Sequence, residues 1–197
     1  MLPSHALPKT PRKPGHINPE AEAAGLLEAC RIQKAPVAVE QIAERLGLSI
    51  TYQPFRGPQQ RDVSGMLYRG RGLAVLGVNA AHSRTRQRFT VAHEIGHYRL
   101  HPGQEVWIDH LIRAQVNFRD ALSSQGVMRE EVQANQFAAA LLMPAKQLIG
   151  DTIDMLDDDS TATAQDVVRQ MSRRYEVSQQ SMEYRLINLG LLDPETR

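Results

Sequence analysis

The sequence predicts an α+β fold dominated by helices, with a small antiparallel sheet near the middle and a helical region closing the chain. Three observations carry this reading. Helical patterning, with apolar residues returning every three or four positions, marks several stretches, of which residues 37–46 and 130–143 are the clearest. Short segments rich in β-branched and aromatic residues cluster between residues 48 and 79, two of them flanking Gly70-Arg71-Gly72. At 197 residues, 42% hydrophobic and 23% charged, the chain has the composition of an ordinary folded domain and the length to bury a substantial core.

The elements follow in order. Residues 1–18 hold Pro3, Pro8, Pro11 and Pro14 with Lys9, Arg12 and Lys13 and no acid, so they present no face to bury and read as a disordered tail. Asn18-Pro19-Glu20 is a helix start, with a capping side chain, a proline in the first turn and an acid near the positive end of the dipole, and the helix is expected to reach Lys34. Val39, Ile42, Ala43 and Leu46 place a second helix over residues 37–46, ended by Gly47. Residues 48–53 read as a strand, and 64–69 with 73–79 as a hairpin. Ser83 is a candidate cap for a helix through His101, stopped by Pro102. A short strand is expected over 105–109, loop over 110–128, a helix over 130–143, and two closing helices over 163–175 and 178–189. This divides the chain into a tail (1–18), a main domain (19–150) and a helical region packed on it (151–197).

Composition also excludes. With 23 Lys and Arg against 22 Asp and Glu, the chain as a whole offers no electrostatic case for a nucleic-acid or acidic-lipid partner. Its one cysteine, Cys30, permits no internal disulfide and points to a reducing, cytoplasmic setting. No run of apolar residues is long enough to span a membrane, and the N-terminus lacks the apolar core of a signal peptide.

The chemistry concentrates in His93-Glu94-Ile95-Gly96-His97. On a helix, residues four apart share a face, so both imidazoles can address one ion while Glu94 lies beside them. Two histidines and an adjacent carboxylate are the ligands and general base of a metallopeptidase helix, the carboxylate taking a proton from the attacking water and passing it to the leaving amine. The blander interpretation is a pair of surface histidines; the apolar Phe89, Val91 and Ala92 and the uncharged Ile95, Gly96 and Tyr98 argue for a buried catalytic helix instead.

Catalytic zinc takes a third protein ligand and keeps one open position. Glu131, Glu130, Asp109, Glu105 and His101 are the candidates. His101 lies at the end of the same helix and is better suited to capping or substrate contact. Glu131 is favoured because Asn135, one turn later, could hydrogen-bond a ligand imidazole or the carboxylate. Periodicity alone does not separate it from Glu130, and both acids could equally be solvated residues near a helix start.

Arg88-Phe89-Thr90-Val91-Ala92-His93-Glu94-Ile95-Gly96-His97, Glu131-Val132-Gln133-Ala134-Asn135-Gln136-Phe137-Ala138-Ala139 and Leu141-Leu142-Met143-Pro144, in that order, resemble the ImmA/IrrE family of regulatory zinc metallopeptidases. The likeness extends upstream over Val37 to Gly47 and downstream over Val177-Ser178 and Arg185 to Leu191. It implies a zincin-like core, one Zn²⁺ per chain held by His93, His97 and Glu131, Glu94 as general base and Asn135 in support. It also implies a cytoplasmic enzyme of stress response and transcription regulation, whose protein substrate is a repressor bearing a helix-turn-helix. The family often carries a second acid two residues after the glutamate ligand; Gln133 stands there in this chain, which argues that this position is not required for metal binding.

Tyr98, His101, Tyr184 and Arg185 are candidates to contact the substrate or stabilise the oxyanion, none singled out by spacing. Strand 73–79 could be the sheet edge along which an extended peptide binds. The alternative function is a metal-binding or DNA-binding regulator without proteolysis. The helices meeting at Glu176-Val177-Ser178 have helix-turn-helix spacing, and Arg169, Arg173, Arg174 and Arg185 could meet phosphates. Against DNA stand Asp166, Glu176 and Glu183 and the core-like Val167, Val168, Met171, Met182, Leu186 and Leu189, which favour docking to a protein partner. Arg84, Arg86 and Arg88 read as a solvated face, and Asp157-Asp158-Asp159 as an exposed turn lacking the ligand spacing of a calcium loop.

Overall fold

The computed structural model describes residues 18–55, 63–70, 72–102, 106–110, 121–158 and 160–193. The expected tail at 1–18 falls almost wholly outside them. Seven helices and four strands are present among the described residues: α1 (Pro19–Ala29), α2 (Val39–Arg45), β1 (Leu48–Gln53), β2 (Val63–Gly70), β3 (Leu73–Asn79), α3 (Arg84–Leu100), β4 (Val106–His110), α4 (Ala121–Leu142), α5 (Ala145–Asp158), α6 (Ala164–Tyr175) and α7 (Gln179–Asn188). The fold is helix-dominated α+β.

Local chemistry sets most boundaries. Asn18 caps α1 by accepting from the Ala21 amide, and Ser83 caps α3 by accepting from the Arg86 amide. Thr163 and Asp166 form a reciprocal capping box on α6, and Ser178 caps α7. Gly47 and Gly72 take positive φ of 76° and 79° in the turns after α2 and between β2 and β3, a region that costs a glycine little. Helix α1 stops five residues short of the expected Lys34, because Arg31 turns into the left-handed region at φ 53°. Helix α4 begins at Ala121, inside the stretch expected to be loop, and α5 was not foreseen; Asp157 and Asp158 are its exposed last residues rather than a free turn.

The sheet has the order β1-β3-β2-β4. Strands β2 and β3 form the expected antiparallel hairpin, and β4 adds antiparallel to β2. Strand β1, however, pairs parallel with β3, Leu48 opposite Ala74 through Gln53 opposite Asn79, so the sheet is mixed rather than antiparallel. The hydrophobic pattern identified each strand but not its neighbour: β1 joins the far side of the hairpin, where direction follows from how the chain crosses over. It also follows that β3 is an interior strand, its backbone groups engaged on both sides. The edges are β1 and β4, and the peptide-binding edge expected at 73–79 is not there.

Helix α3 packs on β2 and β3 and, along its other flank, on α4, which in turn meets α1. The core runs from Leu26 and Ile42 through Leu67, Leu76, Val91 and Ile95 to Phe137, Leu141 and Leu148, and on to Met171, Tyr175, Met182 and Leu186 in the closing helices. Polar clamps join these parts. Arg88, expected to be solvated, is 3% exposed; it donates to the carbonyls of Val37 and Glu176 and pairs with the Glu176 carboxylate, tying the metal-motif helix to the start of α2 and to the α6–α7 turn. Arg84 pairs with Glu40 and Arg86 with the Ser64 hydroxyl. Arg84 and Arg86 remain exposed, as the alternate spacing at the helix start suggested, and only Arg88 is covered by packing.

Candidate metal centre

Two helices build the site. Helix α3 contributes His93, Glu94 and His97, which are 3%, 0% and 1% exposed, and α4 contributes Glu131. The helices can approach closely because Gly96, between the two histidines, faces Ala134. A Cβ built on Gly96 would sit 3.2 Å from the Ala134 Cα and 3.1 Å from a ring carbon of Phe137. The small pair at this crossing brings the Glu131 carboxylate to the histidines.

Nε2 of His93 lies 3.2 Å from one Glu131 oxygen and Nε2 of His97 3.3 Å from the other, and the two nitrogens are 2.9 Å apart. Among the described residues these three form the one group whose donor atoms all lie close enough, within 4.8 Å of one another, to share an ion. The neighbours fix what the ring nitrogens can do. Asn135 Oδ1 stands 2.9 Å from His93 Nδ1, so this nitrogen carries the proton and leaves Nε2 bare. Burial, with a contribution from His93, lowers His97 to about 4 against the opposing pull of Glu131, so it is neutral near pH 7. Burial acts to raise Glu131, but the two adjacent histidines outweigh it and bring it down to about 2, leaving a carboxylate. Two imidazole nitrogens and a carboxylate thus converge at distances that one ion could bridge. The donor set therefore fits a metal ion, and three ligands leave a position open.

Glu94, fully buried beside the ligands, is held close to β2. A Cβ on Gly65 would fall 2.4 Å from the Thr90 Cγ2 and 3.0 Å from Glu94 Oε1, so only glycine lets α3 lie this near the sheet. Arg69, also on β2, closes the helix end: it donates to the carbonyls of His97 at 2.7 Å and His101 at 2.8 Å, and its guanidinium lies 5.1 Å above the Tyr98 ring. A cation there complements the negative end of the helix dipole, adding to the His101 amide that the His97 carbonyl already accepts. No sequence signal marked Gly65 or Arg69, since their roles depend on which strand neighbours α3.

The other expected site residues divide. His101 is the C-cap of α3, is buried, and places its Nδ1 3.1 Å from His97 Nδ1 and its Nε2 2.9 Å from Gln133 Oε1. Tyr98 is half-buried beneath Arg69. Arg185 is 5% exposed and holds the Met143 carbonyl at 3.0 Å and both oxygens of Glu20, so its guanidinium braces α7 against α1. Tyr184 is half exposed on α7. Glu130 is half-buried, and the side chains of Glu105 and Asp109 lie outside the described ones.

Comparison with known proteins follows the geometry. A Mycobacterium tuberculosis transcriptional regulator of solved structure aligns with a TM-score of 0.53 at 17% identity, over 91% of this chain and 48% of that one. It shares the fold, and this chain spans about half its length. No curated protein matches significantly. The model of the IrrE N-terminal-like domain, a peptidase family, matches residues 43–187, a span that includes both histidines, Glu94, Glu131 and the closing helices. The chain belongs to the IrrE N-terminal-like domain family.

Proposed function

We propose that this protein is a zinc-dependent endopeptidase that hydrolyses a peptide bond in a protein substrate, a transcriptional repressor bearing a helix-turn-helix, and so relieves repression in the cytoplasm. The observation that carries this reading is the buried Glu94 on the same helical turn as two histidines whose Nε2 atoms converge with Glu131. His93, His97 and Glu131 would hold the ion, which when bound supplies a Lewis acid for the carbonyl and for water. Glu94 takes the proton of the attacking water and returns it to the departing amine, and its buried surroundings strengthen that exchange. Asn135 orients His93. Zinc is preferred because two imidazoles and one carboxylate with an open position are a catalytic zinc set.

The repressor is inferred as a class from the family and is supported by the printed description of the structural neighbour as a transcriptional regulator. Direct DNA binding by α6 and α7 gains little support. Arg169 pairs with Asp166 and Arg174 with Asp151, while Arg185 is buried against Glu20. Phosphate contacts need cations that are not already neutralised. Among the described residues no helix is long and apolar enough to cross a membrane.

The test is Glu94→Gln in the purified chain mixed with candidate repressors. The variant should bind metal stoichiometrically and lose cleavage. Cleavage at the wild-type rate in the variant refutes the mechanism, and metal binding without cleavage in the wild type favours a regulator that acts by binding alone.

A further inference from the structure

A ligand histidine must offer a bare Nε2, so its Nδ1 must carry the proton and find an acceptor. His93 meets this in one step through Asn135. His97 does not: its Nδ1 faces a third imidazole, with His101 Nδ1 at 3.1 Å. His101 can accept there only if its own proton sits on Nε2, and that nitrogen lies 2.9 Å from Gln133 Oε1, an atom that can only accept. With His101 uncharged, the proton positions follow from the far end. The Gln133 oxygen holds the proton on His101 Nε2, bare His101 Nδ1 holds the proton on His97 Nδ1, and His97 Nε2 is left bare toward Glu131.

We propose that Gln133 and His101 are positioning residues for the metal centre, a two-step relay that sets the tautomer and ring orientation of His97. The assignment rests on the reading of His93, His97 and Glu131 as metal ligands. It gives α4 a threefold task at alternate positions: Glu131 supplies a ligand, Gln133 orients His97 through His101, and Asn135 orients His93 directly. It also refines the sequence-based expectation that Gln133 is not required for metal binding. An acid is not required there, but an acceptor is.

The test uses the full chain and measures Zn²⁺ affinity by competition with a chromophoric chelator, with Co²⁺ absorption as a second measure of ligand geometry. Gln133 is only half-buried, so its variants keep the fold. Gln133→Met removes the acceptor at similar length and should weaken Zn²⁺ binding roughly 10- to 100-fold, the usual cost of losing a partner behind a ligand histidine. Gln133→Glu keeps an acceptor and should bind close to wild type. In ¹H–¹⁵N correlation spectra of the zinc-loaded protein, His97 should be protonated at Nδ1 and His101 at Nε2, the latter becoming mixed in Gln133→Met. Equal affinity of the Met and Glu variants, or His101 protonated at Nδ1 in the wild type, overturns the relay. Failure of the wild-type chain to bind Zn²⁺ overturns the metal centre itself, a separable result.

Discussion

Gly65→Ala is the sharpest perturbation available, because it adds one methyl group at the contact between the sheet and α3. The new carbon would stand 2.4 Å from Thr90 Cγ2, 3.0 Å from Glu94 Oε1 and 3.2 Å from the Gly77 carbonyl oxygen. Carbon atoms rest at about 3.5–4.0 Å, so Thr90 and the strand must separate by roughly 1 Å or more. Thr90 is buried one turn before Glu94, so a shift of α3 carries the proposed general base with it. Overpacking of this kind costs about 1–3 kcal/mol, and each kcal/mol lowers Tm by about 2–4 °C in a chain of this size. A displacement of about 1 Å at a catalytic group costs on the order of 100-fold in rate. The assay is calorimetric melting together with cleavage of the proposed repressor substrate. Gly65→Ala/Thr90→Ser, which removes the clashing methyl group, should recover part of both losses as a positive coupling. Gly25→Ala is the control: nothing lies within 4 Å of its added carbon on the exposed face of α1, so it should stabilise by about 0.5–1 kcal/mol. Wild-type melting and wild-type cleavage in Gly65→Ala would refute the packing argument.

Other expectations are narrower. Glu131→Gln should lose stoichiometric metal while Glu130→Gln keeps it, since only Glu131 reaches both histidines; inductively coupled plasma analysis of the dialysed proteins decides. Arg88→Leu strands the Val37 and Glu176 carbonyls and should cost roughly 2–4 kcal/mol in urea unfolding; a loss under about 0.5 kcal/mol would show that water replaces the guanidinium. Arg185→Met should lower stability yet leave Zn²⁺ affinity unchanged, because its partners are Glu20 and the Met143 carbonyl; a rate loss at unchanged stability would return it to the active site. Tyr175 donates to Asp151 at 2.7 Å, and burial together with that carboxylate raises its phenol well above the ordinary value of 10.0. The native state then holds a proton that the unfolded chain releases, so this stability is complete below about pH 10 and is lost as pH rises beyond it. Tyr175→Phe should flatten that alkaline decline, and an unchanged slope would refute the assignment.

Much of this was readable in the chain itself. Asn18, Ser83 and Gly47 mark their boundaries by interactions spanning three or four residues, and these survive in any tertiary context. His93, Glu94 and His97 share a helical face by periodicity alone, and Asn135 follows Glu131 by one turn for the same reason. Helix α5 is amphipathic yet closes in the acidic run from Asp157, a composition that also suits a turn, and α4 starts after Asp120, a capping residue type set in a stretch without clear helical periodicity.

What the chain by itself determined was the chemistry: two imidazoles and a carboxylate on one turn, and a second helix bearing acid and amide at matching positions. Only the tertiary structure decided how these meet. That β1 runs parallel to β3, that Gly65 rather than another glycine faces Glu94, that Arg88 and Arg185 are buried clamps, and that His101 connects Gln133 to His97 all depend on which elements become neighbours. Short-range pattern encodes which face of an element is apolar, whereas pairing partners are selected by the packing of the whole core, which no local window contains.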